Sequence, residues 1–104
     1  MQELAVNDIA DLEDPGKGNP AVVFIYTPFC GTCKLGEKML EIVGQTIPGL
    51  LIYRFNINTG PQFAQKWEIA SVPGLLIFRH GRIVEKHFAF QSVDFLYRTL
   101  KRFF

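Results

Sequence analysis

Cys30 and Cys33 are the chain's two cysteines, and only Gly31 and Thr32 stand between them. Bridging so short a loop removes little entropy from the unfolded chain, so a structural staple is a poor reason for the spacing. Sulfur nucleophile chemistry is a better one. In Pro28-Phe29-Cys30-Gly31-Thr32-Cys33-Lys34 an apolar run gives way to a helical pattern, which puts Cys30 at a helix N-terminus. Unpaired backbone N–H groups there carry partial positive charge and favour thiolate over thiol. Cys33 falls one turn further in, where it can attack a mixed disulfide at Cys30 and release the partner as a free thiol. Cys30 therefore reads as the nucleophile and Cys33 as the resolving cysteine. Gly31 leaves the approach to Cys30 open, Lys34 adds positive charge nearby, and the Thr32 hydroxyl can hydrogen-bond a Cys30 thiolate.

The same pair would also serve as half of a zinc or iron–sulfur site. A non-enzymatic module that uses Cys30 and Cys33 to hold or deliver a metal, as a single chain or as a dimer, is thus the alternative from a different class. A four-coordinate site needs two further ligands, and the chain offers only His80, in a hairpin turn, and His87, on the strand after it. Both histidines read as ordinary surface residues. A C-x-x-C beside a β-α-β pattern points instead to redox chemistry, with no metal and no cofactor beyond the Cys30–Cys33 disulfide.

The elements that must position the pair follow from hydrophobic periodicity. Ala21 to Tyr26 is a continuous apolar run rich in β-branched and aromatic residues, the signature of a strand covered on both faces. From about Thr32 to Gln45 the period turns helical, with Met39, Leu40, Val43 and Ile47 on one side and Pro48-Gly49 as the stop. Leu50 to Ile57 is again strand-like, and Gly60-Pro61 starts a helix running to about Trp67. A strand, a crossover helix and a second strand imply parallel pairing. Leu75 to Arg79 and Ile83 to Phe88 flank His80-Gly81, which signals an antiparallel hairpin. Ser92 can cap a last helix whose Val93, Leu96 and Leu100 face inward. The stretch from Asp14 to Pro20 reads as a loop after a short first helix.

Length and composition narrow the class further. The chain has 104 residues, 48% of them hydrophobic, with ten Phe, which fits one globular domain spanning residues 1–104. A formal charge of +1 provides no field for collecting nucleic acid by counterion release. Met1 to Asp14 carries five acidic residues and no basic leader, so the reading is an unexported, cytoplasmic protein. The run from Ala21 to Tyr26 is far shorter than the roughly 20 residues of a membrane span, so no membrane is expected.

Taken together, C-G-T-C at the helix start and Ser71-Val72-Pro73 before the final hairpin resemble the thioredoxin family over nearly the whole chain. The resemblance implies an α/β fold, thioredoxin-like, with a central mixed sheet of four or five strands flanked by helices on both faces. It implies a protein-disulfide oxidoreductase acting as a monomer. Its partners would be disulfide-containing proteins or low-molecular-weight thiols, together with a thiol reductase that recycles it. It further implies a cis bond before Pro73 that leaves the Val72 backbone free to pair with an extended substrate, and a docking surface of Phe29, Gly31, Thr32, Val72, Pro73, Phe88 and Ala89 around Cys30. Gly81 matches the family's hairpin glycine, and Trp67 matches an aromatic at a helix end.

Five departures from the family modulate this picture. Phe29 stands where a tryptophan is usual, and Thr32 where a proline is usual. Phe24 occupies the place of a buried aspartate behind the resolving cysteine, so that proton acceptor is absent and slow resolution by Cys33 is expected. Arg54 replaces a lysine near it; a guanidinium stays protonated and cannot act as a base, but its charge would favour a Cys33 thiolate. Lys38 replaces a helix-kinking proline, with Gly36 left to permit some bending. The run from Val23 to Pro28 also resembles a glutaredoxin, yet the proline and tyrosine that family favours between the cysteines, and its Gly-Gly-x-x-Asp element, are both missing.

Overall fold

The computed structural model describes residues 1–104. A two-residue strand β1 (Gln2–Glu3) leads through a 3-10 turn (Val6–Asp8) into a short helix α1 (Ile9–Leu12). Then come β2 (Ala21–Tyr26), α2 (Gly31–Thr46), β3 (Ile52–Asn56), α3 (Pro61–Lys66), β4 (Gly74–Arg79), β5 (Arg82–His87) and α4 (Val93–Lys101). The five strands form one mixed sheet in the order β1-β3-β2-β4-β5. β3 runs parallel to both β1 and β2, whereas β4 is antiparallel to β2 and β5. This is the anticipated fold class with five strands, the first of them minimal.

β2 lies at the centre because both of its faces are apolar. Val22 and Phe24 join α2 and α4 in one core, and Val23 and Ile25 join Phe55, Trp67, Leu76 and Phe78 in another on the opposite face. All four β2 residues are buried, each fully covered apolar side chain being worth roughly 1.5–3 kcal/mol. Edge strand β5 shows the contrasting pattern, with Arg82, Val84 and Lys86 exposed and Ile83, Glu85 and His87 half-buried.

The two ends of β3 and the residues Gly36 and His87 depart from the sequence reading. β3 is shorter than the apolar run Leu50–Ile57, because the Leu50 N–H bonds back to the Ile47 carbonyl and the Asn56 side chain accepts from the Asn58 N–H, turning Ile57–Thr59 into a 3-10 turn. Gly36 has a packing role in α2 that the sequence reading did not give it. A Cβ there would lie 2.9 Å from a Phe90 ring carbon, so glycine is needed for close packing. His87 is half-buried and not a freely exposed residue: its ring meets Phe95 edge-on at 5.4 Å and its Nε2 lies 3.5 Å from Glu85. His80 is exposed, as anticipated.

The hairpin glycine has two reasons to be glycine. Gly81 has φ +76, and a Cβ would come within 2.5 Å of the Glu13 carbonyl oxygen. Trp67 is buried and donates its indole N–H to Glu13 at 3.2 Å. Ser92 caps α4 by accepting the Phe95 N–H at 3.0 Å, with Leu96 and Leu100 buried beneath it.

Candidate active site

β2 ends at Tyr26, and the chain passes through Thr27-Pro28-Phe29 before α2 opens at Gly31. Cys30 is the N-cap, in an extended conformation, and its Sγ accepts the Cys33 N–H at 3.1 Å. The residue thus performs the task usually given to Ser, Thr or Asp at this position. Cys30 and Cys33 are joined as a disulfide with their Cα atoms 5.1 Å apart. A disulfide sulfur has no hydrogen, so the Thr32 hydroxyl, 3.3 Å away, donates to the Cys30 Sγ.

The two sulfurs differ in access. Cys33 is 3% exposed and belongs to the core with Phe24, whereas Cys30 is only half-buried. Phe29 projects fully into solvent beside it, and nothing lies within 4 Å of a Cβ built on Gly31. Lys34 is exposed on the first turn.

The Val72-Pro73 bond is cis. Gly74, next in the chain, pairs with Ile25 near the end of β2, so Val72 and Pro73 sit at the same end of the sheet as the Cys30 loop. Val72 lies outside the strands, and neither its N–H nor its carbonyl takes part in a backbone hydrogen bond. Phe88 packs over Gly74, with a ring carbon 3.2 Å from the position a Cβ would take. Ala89 is exposed on the following loop, and Phe90, which the sequence reading passed over, inserts between Gly36 and Phe24.

Behind Cys33 the structure corrects the role given to Arg54. Its guanidinium lies 2.9 Å from Glu37 and 3.3 Å from Glu3, and stacks over the Tyr26 ring at 4.2 Å. Two carboxylates face one guanidinium, so the cluster as a whole does not lend Cys33 positive charge. Glu3, Tyr26 and Glu37 were not singled out from the sequence. The spacing of Glu37, four residues after Cys33 and therefore on the same helix face, was the available signal.

Within this cluster Tyr26 donates its phenol to Glu3 at 2.8 Å. Burial, then the hydrogen bond to Glu3 and the charges of Glu3 and Glu37, push its pKa up to about 12, against an opposing pull from Arg54. The folded state therefore holds the proton above pH 10, where an unfolded chain releases it. The stability tied to this proton is intact below pH 10 and is lost as pH rises towards 12. In an ultraviolet phenolate titration Tyr26→Phe should remove a late step near pH 12. Denaturant midpoints should fall less across that alkaline range for the variant than for the parent; equal falls would overturn this account.

No His, Cys, Asp or Glu side chains gather within the chain in a group of three or more that could hold a metal. The thioredoxin family model matches residues 9–102. The chain is 40% identical over 102 residues to the thioredoxin-like protein YusE of Bacillus subtilis, covering 98% of this chain and 92% of that one. It is 28% identical over 103 residues to a thioredoxin of Staphylococcus aureus, covering 98% of each. A mutant thioredoxin from Halobacterium salinarum superposes with a TM-score of 0.78 at 19% identity, over 98% of this chain and 90% of that one. With the cysteine pair at the head of α2, the family match across most of the chain and a relative at 40% identity, this protein belongs to the thioredoxin family.

Proposed function

We propose that Cys30 attacks a disulfide of a partner protein or small thiol, and that Cys33 resolves the mixed disulfide. The reaction class follows from family membership: the protein is a thiol-disulfide oxidoreductase. The observation that carries the assignment of roles is the contrast between a half-exposed Cys30 at the helix N-cap and a buried Cys33 one turn inside the helix. The Thr32 hydroxyl at 3.3 Å supports a Cys30 thiolate in the reduced protein.

Phe29, Gly31, Thr32, Val72, Pro73, Phe88 and Ala89 form the docking surface in this reading. The exposed Phe29 ring offers apolar contact, and the unpaired Val72 backbone offers hydrogen bonds to an extended partner segment. Lys34 adds positive charge at the rim. The protein acts as a single domain and a monomer in the cytoplasm, where a thiol reductase returns the pair to the dithiol and the cycle serves redox homeostasis.

Alkylation of the reduced protein tests the roles. Iodoacetamide should modify Cys30 well below the roughly 8.5 of a free thiol, with Cys33 at least about tenfold slower at neutral pH. Peptide mass spectrometry assigns the sites. Equal rates at the two cysteines, or no reaction until the pH of an ordinary thiol, would sink the assignment.

A further inference from the structure

A thiol must lose its proton before it attacks a disulfide, and Cys33 is 3% exposed. Cys33 lines a cleft of about 590 Å³ between α2 and strands β2 and β3. Each titratable or charged group around that cleft can be weighed as the acceptor. From β2, Tyr26 keeps its own proton to about pH 12. From β3, Arg54 has only donors. From α2, the ammonium groups of Lys34 and Lys38 likewise have no lone pair to offer, and Glu41 lies exposed two turns beyond Cys33. Glu3 of β1 is committed to Tyr26 and Arg54 and does not line the cleft. Glu37 remains: it lines the cleft on the same helix face as Cys33, one turn away.

We propose that Glu37 is the proton acceptor for Cys33 in the resolving step, taking over from the helix the task for which β2 supplies only Phe24. The inference rests on the assignment of Cys33 as the resolving thiol. In the step, the Cys33 S–H passes its proton to the Glu37 carboxylate, directly or through one water. The thiolate attacks the Cys30 sulfur; the Cys33–Cys30 bond forms and the bond from Cys30 to the partner sulfur breaks. The partner sulfur leaves with the electron pair, and the proton on Glu37 passes to it or to solvent. Two protein thiols are oxidised and one partner disulfide is reduced to two thiols.

Arg54 holds Glu37 at 2.9 Å, which orients the carboxylate but engages one of its oxygens. General-base assistance is typically worth 10²–10⁴-fold, so a contribution at or below the low end, about tenfold, is expected here. The sign of the effect separates this role from simple electrostatics. As a fixed negative charge, Glu37 would oppose a Cys33 thiolate, and neutralising it would speed resolution. As the acceptor, its loss slows resolution.

Rapid mixing of the reduced protein with dithiobis(nitrobenzoate) reads both steps: the first thionitrobenzoate released reports attack by Cys30, the second reports resolution by Cys33. Glu37→Gln should slow the second phase about tenfold at neutral pH and leave the first unchanged, which also shows that the site is folded. Glu3→Gln, which removes the other carboxylate partner of Arg54, should leave both phases unchanged. A second phase in Glu37→Gln that is unchanged or faster overturns the proposal, as does equal slowing in Glu3→Gln. Cys33→Ser should lack the second phase altogether; if it persists there, the assignment of Cys33 fails, independently of Glu37.

Discussion

Cys33→Ser should accumulate stable mixed disulfides through Cys30, whereas Cys30→Ser should accumulate almost none under the same oxidant. The difference follows from position. Cys30 caps α2 at the surface, where a partner disulfide can reach it, while Cys33 is buried beside Phe24. The first half of the cycle needs an accessible thiolate and the second needs another thiol held one turn away. Removing Cys33 therefore stops the cycle after partner capture, and removing Cys30 stops it before capture. Non-reducing electrophoresis with mass spectrometry of affinity-purified variants reads the adducts at each cysteine. Should Cys33→Ser capture no more protein than the double variant, exchange through Cys30 is wrong.

Phe24→Asp should lower stability by about 4 kcal/mol or more. Phe24 is 1% exposed, stacks on Tyr26 at 5.8 Å and meets Phe90 at 6.1 Å. Truncating a buried Phe costs about 3–5 kcal/mol through lost transfer energy and the cavity left behind, and an introduced carboxylate adds a desolvation cost. Burial raises the pKa of the new carboxyl above its unfolded value of about 3.9, so the deficit is smallest below that pH and grows as pH rises towards neutrality. Urea midpoints of parent and variant near pH 4 and pH 7 measure both effects. A loss under about 1 kcal/mol at neutral pH would mean that the Phe24 site relaxes around the change. The variant also places a second carboxylate beside Cys33, so its resolving step should quicken even as the fold weakens.

The position of the chemistry was legible from local sequence. A continuous apolar run, two cysteines at a strand-to-helix junction and a Gly-Pro helix start are determined by residues close together in the chain. Short-range periodicity and capping encode such features directly. Val72-Pro73 was legible only as a resemblance, because no local rule distinguishes a docking-edge proline from a turn proline. The surroundings of Cys33 were decided by the tertiary structure. Arg54 is one basic residue in the sequence, and its charge is offset by Glu3, some fifty residues earlier on β1, and by Glu37 on α2. Gly36 looks like a flexible point in a helix until the fold brings Phe90 against it from the far side of the β4–β5 hairpin. Electrostatic pairing and close packing depend on distances between elements that the parallel crossover and the hairpin bring together, and neither distance is written in the spacing of residues along the chain.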